Sequence, residues 1–185
     1  MRIVAGRHRG RPLEAPAGDA IRPTGARVRE AVFDILAHGA PAGHVMLPGA
    51  SVLDAFAGTG AMGLEALSRG AARAAFIEKD RAAVATLRAN VARLGEDARA
   101  HVLQGDATRP PPAPAPADLV FLDPPYAEGV AAQALSALAA AGWLAPGAVA
   151  VVETAARDGF TPPEGFREID RRRYGKAAVS FLVRS

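Results

Sequence analysis

Asp123-Pro124-Pro125-Tyr126, which follows the apolar run Asp118-Leu119-Val120-Phe121-Leu122, is the tetrapeptide with the most definite chemistry in the chain. Two prolines fix φ and remove N–H donors, leaving the Asp123 carboxylate and the Pro124 carbonyl as acceptors in a rigid turn. Tyr126 adds an aromatic face. Acceptors beside a ring suit a flat base carrying an amino group, stacked on Tyr126 and hydrogen-bonded through its N–H bonds to Asp123 and Pro124. A proline turn that only ends a strand is the plainer alternative.

A second group of residues suits a nucleotide-type cofactor. The run Ser51 to Phe56 leads into Gly58-x-Gly60-x-x-Gly63 and then into Leu64-Glu65-Ala66-Leu67, a strand, a glycine turn and a helix. Such glycines permit unusual backbone angles, let the main chain approach a ligand, and let the helix pack on the strand. The helix start offers free N–H groups and a positive dipole end. Glu78 ends the next apolar run, Ala74-Ala75-Phe76-Ile77, about 20 residues past Gly58, the spacing at which an acid reaches ribose hydroxyls. Asp106, in Gln104-Gly105-Asp106-Ala107 after a third short run, is placed to accept from an exocyclic amine, or else serves as a turn aspartate. Asp54 puts a charge into the first apolar strand, where it either faces the cofactor or caps the glycine turn.

Those side chains need a scaffold, and the chain alternates strands with helices as a parallel α/β sheet does. Strands are expected at 51–56, 74–77, 100–103, 118–122 and 148–153, with a closing pair near 166–169 and 178–183. Val28, Val32, Ile35 and Leu36 define one helix, with Thr24 placed as its cap. Val84, Leu87, Val91 and Leu94 define another, which Gly95 stops, and a further helix covers 130–141. Five prolines between Thr108 and Ala117 exclude helix or central strand there and leave a stiff surface connection. At the amino end, Arg2-Ile3-Val4-Ala5-Gly6 and Arg11-Pro12-Leu13 flank Arg7-His8-Arg9-Gly10 as a hairpin with a basic tip, too small to be stable without leaning on the main body or on a partner. A division into residues 1–20, a basic hairpin extension, and 21–185, the α/β domain, is expected.

At 185 residues there is room for one substantial core. Cysteine is absent, which removes disulfides, thiolate zinc sites and cysteine nucleophiles. His8, His38, His44 and His101 have no ligand spacing, so no metal is expected. Nothing at the start resembles a signal segment and no apolar run would span a membrane, so a cytoplasmic protein is expected. The net charge of +3 conceals a segregation, because residues 1–30 and 167–185 each carry +4 and the middle carries −5. Basic ends around an acidic centre suggest a polyanion grip separate from the chemical core. Exposed arginines that only confer solubility are the alternative.

Asp54-x-Phe56-x-Gly58-x-Gly60, Glu78 and Asp123-Pro124-Pro125-Tyr126 together resemble the S-adenosylmethionine-dependent amino-methyltransferases of nucleic acids. More narrowly, Arg22-Pro23-Thr24, Arg27-Val28-Arg29-Glu30-Ala31, Gly63-Leu64-Glu65-Ala66-Leu67-Ser68-Arg69-Gly70-Ala71 and Tyr174-Gly175 resemble the bacterial 16S ribosomal RNA guanine-N2 methyltransferases, named for guanine 966. The likeness covers nearly the whole chain. Gly25-Ala26, Asp34 and Ala177 depart from the family's pattern around the first helix and the last turn.

The resemblance implies a Rossmann-like class I methyltransferase: a mostly parallel seven-stranded sheet, helices on both faces, an antiparallel last strand and the small N-terminal hairpin. It implies that S-adenosylmethionine is held by Asp54, Phe56, Gly58, Thr59, Gly60, Glu78, Lys79, Asp106, Ala107 and Asp123. Asp123, Pro124 and Tyr126 would present a guanine N2, unpaired or extruded from its helix. Arg2, Arg7, Arg9, Arg11, Arg27, Arg171, Arg172 and Arg173 would grip 16S ribosomal RNA, within a small-subunit particle, with the protein acting as a monomer. Three alternatives share part of the pattern: an adenine-N6 methyltransferase of DNA or RNA, a nicotinamide oxidoreductase using the glycine turn, and a non-catalytic RNA-binding module.

Overall fold

In a computed structural model, residues 1–15, 23–125, 129–157 and 159–185 are described, and Tyr126 therefore lies outside the described residues. The described chain contains α1 (Pro23–His38), a 3-10 turn (Ala40–Gly43), β1 (Ser51–Ala55), α2 (Ala61–Ser68), β2 (Arg73–Glu78), α3 (Arg81–Leu94), β3 (Ala100–Gln104), β4 (Ala117–Leu122), α4 (Val130–Ala140), β5 (Leu144–Ala155), β6 (Phe166–Tyr174) and β7 (Ala177–Arg184). The strands form one seven-stranded sheet in the order β3-β2-β1-β4-β5-β7-β6. Its first five strands pair in parallel, and β7 runs antiparallel between β5 and β6. The expected seven strands, helices on both faces and antiparallel last strand are all present.

Strand alternation divides the interior in two, because successive side chains point to opposite faces. Val52, Phe76, Leu119, Phe121, Val149, Val151, Val179 and Phe181 pack with Val28, Val32, Phe33 and Leu36 of α1, Leu64 and Leu67 of α2, and Leu87 and Val91 of α3. Leu53, Ile77, Val120, Leu122, Ala150, Val152 and Leu182 face α4, through Ala134, Leu135 and Leu138, and the buried Trp143. The proline segment closes that second face: the Trp143 indole N–H donates to the Pro111 carbonyl at 2.8 Å and the Ala113 N–H to the Ala141 carbonyl at 2.9 Å. Asp80 caps α3 by accepting from the Ala83 N–H at 2.8 Å, and Gly95 ends it at φ 71°.

Two elements extend furthest beyond their expected bounds. β5 starts at Leu144 rather than 148, and β6 continues to Tyr174 rather than 169. β6 is the sheet edge, where one side of a strand needs no apolar residues and charged side chains discourage pairing with another chain; its three consecutive arginines are exposed. The amino-terminal hairpin is reduced to one antiparallel bridge, Arg2 with Pro12, supported by Ile3 N–H to Arg11 O at 3.0 Å and Gly10 N–H to Ile3 O at 2.9 Å. Of the two supports expected, it uses the body: Ile3 and Leu13 are buried in the α1 side of the core. Among the described residues, no helix is long and apolar enough to cross a membrane.

Candidate active site

The turn after β1 is built by close packing. Phe56, a non-glycine residue, sits at φ 62°, a costly conformation that persists only where the surroundings enforce it. Asp54, 4% exposed, accepts the Gly63 N–H at 2.9 Å and so ties the strand to the first turn of α2. The three glycines divide their roles. A Cβ at Gly60 would stand 2.2 Å from Leu87 Cδ1, and one at Gly63 2.4 Å from the Phe76 ring, so both are there to let helices close on the sheet. Only Gly58, at φ 54°, faces open space, where a ligand can approach the main chain. Its N–H donates to Glu78 Oε2 at 2.8 Å, and the Asn90 amide donates to the Thr59 carbonyl at 3.1 Å, pinning the turn to β2 and α3.

Beyond the carboxyl ends of β1, β2, β4 and β5, where α/β sheets bind ligands, lies a cleft of about 1820 Å³. Glu78, Lys79, Asp106 and Ala107 line one part; Asp123, Pro124, Pro125, Glu153 and the Tyr174 to Ala177 turn line another; Asp54 and Phe56 belong to the same wall. Gly25, Ala26, Val28 and Arg29 of α1 complete it. Gly58, Thr59 and Gly60 are not among its lining residues. Glu78 also accepts the Asp80 N–H at 2.7 Å through Oε1, which fixes its carboxylate in the wall and leaves lone pairs for further donors. Asp106 Oδ1 accepts the Thr108 hydroxyl at 2.7 Å and its N–H at 2.9 Å, while Lys79 Nζ lies 3.2 Å from Oδ2. These bonds, the Thr108 hydroxyl foremost, hold the Asp106 carboxyl down at about 2.

Asp54 behaves in the opposite way. Burial pushes its carboxyl up to about 8, the Gly63 N–H pulls it back in part, and the charges of Asp123 and Glu78 raise it further. A wall with six carboxyl groups, Asp54, Glu78, Asp80, Asp106, Asp123 and Glu153, over an apolar floor of Phe121, Val151 and Val179 favours a ligand that brings positive charge, N–H and O–H donors and flat apolar surface. The donor set therefore fits S-adenosylmethionine, with its ammonium, sulfonium, ribose hydroxyls and adenine amine.

The arginines stand elsewhere. None of the eight arginines assigned to RNA lines the cleft. Arg2 donates to the Gly10 carbonyl at 2.8 Å, Arg7 pairs with the buried Glu96 at 2.5 Å, and Arg9, Arg11 and Arg27 are exposed. Arg171, Arg172 and Arg173 project from the edge strand, with Arg172 on Asp170 at 3.0 Å. Of the two arginines that do line the cleft, Arg29 and Arg81, Arg29 is the buried one. It is 4% exposed, its Nη2 donates to the Arg2 carbonyl at 2.7 Å, and its Nε lies 3.6 Å from Glu65. Glu65, wholly buried, accepts the Val4 and Ala5 N–H groups at 2.8 and 3.0 Å and pairs with Arg69 at 2.8 Å. Helical spacing carried a signal for Arg29, since it precedes the buried Phe33 by one turn.

Comparison with known proteins agrees with this geometry. The family model described as conserved hypothetical protein 95 matches residues 1–183. The chain is 40% identical over 167 residues to ribosomal RNA small subunit methyltransferase D of Escherichia coli strain K12, covering 86% of this chain and 77% of that protein. It is 36% identical over 179 residues to the protein of the same name in Haemophilus influenzae, covering 95% and 89%. The solved structure of yhhF from Escherichia coli superposes with a TM-score of 0.85 at 37% identity, covering 100% of this chain and 98% of that one. The sheet order is that of the class I methyltransferase fold, and the chain belongs to the conserved hypothetical protein 95 family, as a relative of the ribosomal RNA small subunit methyltransferases D.

Proposed function

We propose that this protein transfers the methyl group of S-adenosylmethionine to the exocyclic N2 of one guanine in 16S ribosomal RNA, the guanine 966 type of site, within a small-subunit particle in the cytoplasm. One observation carries the proposal: the acceptor turn at Asp123-Pro124 and the acids suited to a cofactor, Glu78 and Asp106, line one continuous cleft with Asp54. The names of the relatives supply the substrate class, ribosomal RNA of the small subunit. Glu78 would hold the ribose hydroxyls, Asp106 the adenine amine with Lys79 alongside, and Asp54 the cationic end near the Gly58 turn. When bound, S-adenosylmethionine supplies an electrophilic methyl group on a sulfonium.

The rest is done by positioning. The lone pair of a guanine amine is delocalised into its ring, so the nitrogen is a poor nucleophile until both N–H bonds are engaged and the lone pair turns out of the ring plane. Asp123 and the Pro124 carbonyl are the acceptors for that pair of N–H bonds, with Tyr126 as the stacking surface. Placement and electrostatic stabilisation of the developing ammonium supply most of the rate. Asp123→Asn is expected to reduce kcat on the order of 100- to 1000-fold while weakening cofactor binding far less. Retained transfer by that variant, measured in single turnover, would contradict the assignment.

A further inference from the structure

Two hydrogens on an exocyclic amine are common to guanine N2 and adenine N6, so the acceptors at Asp123 and Pro124 suit either amine equally. The difference between the bases lies on the adjacent ring nitrogen. Guanine presents N1–H, a donor, beside its amine, whereas adenine presents a bare N1 lone pair. A site that selects guanine therefore needs one more acceptor beside Asp123, able to face N1.

The sheet supplies it. Leu122, the last residue of β4, pairs in register with Val152 of β5, so Asp123, just past the end of β4, and Glu153 of β5 each follow that pair by one residue, on neighbouring segments whose strands are spaced by about 5 Å. Both follow Phe121 and Val151 by two residues, on the face of the sheet that forms the cleft floor, and both line the cleft. Glu153 is half-buried between β4 and β7, where it pairs with Val179. Tyr174 and Lys176, on the turn between β6 and β7, line the same part and carry the O–H and N–H donors that guanine O6 requires.

We propose that Glu153 is the specificity residue of the base site, its carboxylate accepting guanine N1–H beside the amine held at Asp123. This rests on guanine N2 being the methyl acceptor. An ionised carboxylate accepts only, so against adenine it would set lone pair against lone pair, and a buried acceptor left without a donor is a strong means of rejection.

The test uses small-subunit RNA in which the target guanine is replaced by 2-aminopurine, which keeps the amine but lacks N1–H and O6. Methyl transfer at that position is measured as kcat/KM for the wild-type protein and for Glu153→Gln, whose amide can donate to a bare N1. The wild type is expected to prefer guanine on the order of 100-fold, and Glu153→Gln to lower that preference at least about tenfold. Because each substrate is compared in both proteins, the contribution of O6 cancels. A general structural role would slow both substrates alike and leave the ratio unmoved, which would overturn the assignment. Should Glu153→Gln fail to bind cofactor, Glu153→Ala is compared in its place, and an unmoved ratio, or a wild-type preference below about tenfold, overturns the assignment. Absence of transfer to guanine N2 by the wild type would instead remove the activity itself, and the role of Glu153 with it.

Discussion

Asp54 is a carboxyl group held near 8 by burial and by the neighbouring charges of Asp123 and Glu78, so in the free protein at neutral pH it is largely protonated. Its folded value lies above the unfolded value of 3.8, so its contribution to stability is fully present below about pH 4 and is lost as pH rises to about 8. A cation bound beside it favours the ionised form. Cofactor binding at pH 7 should therefore release a proton, seen as a binding enthalpy that varies with the ionisation enthalpy of the buffer. Asp54→Asn should abolish that variation, and a buffer-independent enthalpy in the wild type would contradict the placement of the cation. The acids of the cleft were legible from residue type and spacing: Glu78, Asp106 and Asp123 all stand in its wall. Glu153 was not, because an acid within a strand does not announce its register neighbour until the pairing of β4 with β5 is known. The division of the glycines was equally hidden, since only the packing of Leu87 and Phe76 reveals which of them face a helix.

Among the elements, α2 does more than follow the glycine turn. Through Glu65 and Ser68 it holds the amino-terminal segment: Ser68 Oγ accepts the His8 N–H at 3.0 Å and donates to the Ala5 carbonyl at 2.5 Å, and a Cβ at Gly6 would collide with the Ser68 carbonyl at 1.9 Å. Glu65 also neutralises Arg29, whose guanidinium burial already disfavours. Glu65→Ala removes the partner of a buried cation and the acceptors of two backbone N–H groups, and should cost about 3–5 kcal/mol in urea denaturation; a loss below about 1 kcal/mol would show that Ser68, Ile3 and Leu13 hold the segment without Glu65. An acid inside the apolar stripe Leu64-Glu65-Ala66-Leu67 was the sequence sign of this network. Element order was readable from hydrophobic runs because every central strand is buried on both faces. Lengths were not readable where burial lapses, as in the arginine-rich end of β6 and the Leu144-Ala145-Pro146-Gly147 start of β5.

On the scale of the whole molecule, acidic and basic surfaces are separated: carboxylates line the cleft, and the arginines assigned to RNA stand outside it. Such a layout suits the proposed grip on a backbone at a distance from the reacting base. Binding to small-subunit RNA should then weaken steeply with salt, each phosphate contact contributing roughly 0.7–0.9 to the slope of log K against log salt. Replacing Arg171, Arg172 and Arg173 together by alanine should lower that slope by about 2. An unchanged slope in a filter-binding titration would leave those arginines the lesser task of guarding the sheet edge. The central claim, that one cleft joins a methyl donor to a guanine amine, is tested most directly by mapping the product. Unmodified small-subunit RNA and particles are incubated with isotopically labelled S-adenosylmethionine and digested to nucleosides. The expected result is a single labelled N2-methylguanosine, lost in Asp123→Asn; label in N6-methyladenosine, or none in RNA or particle, would contradict it.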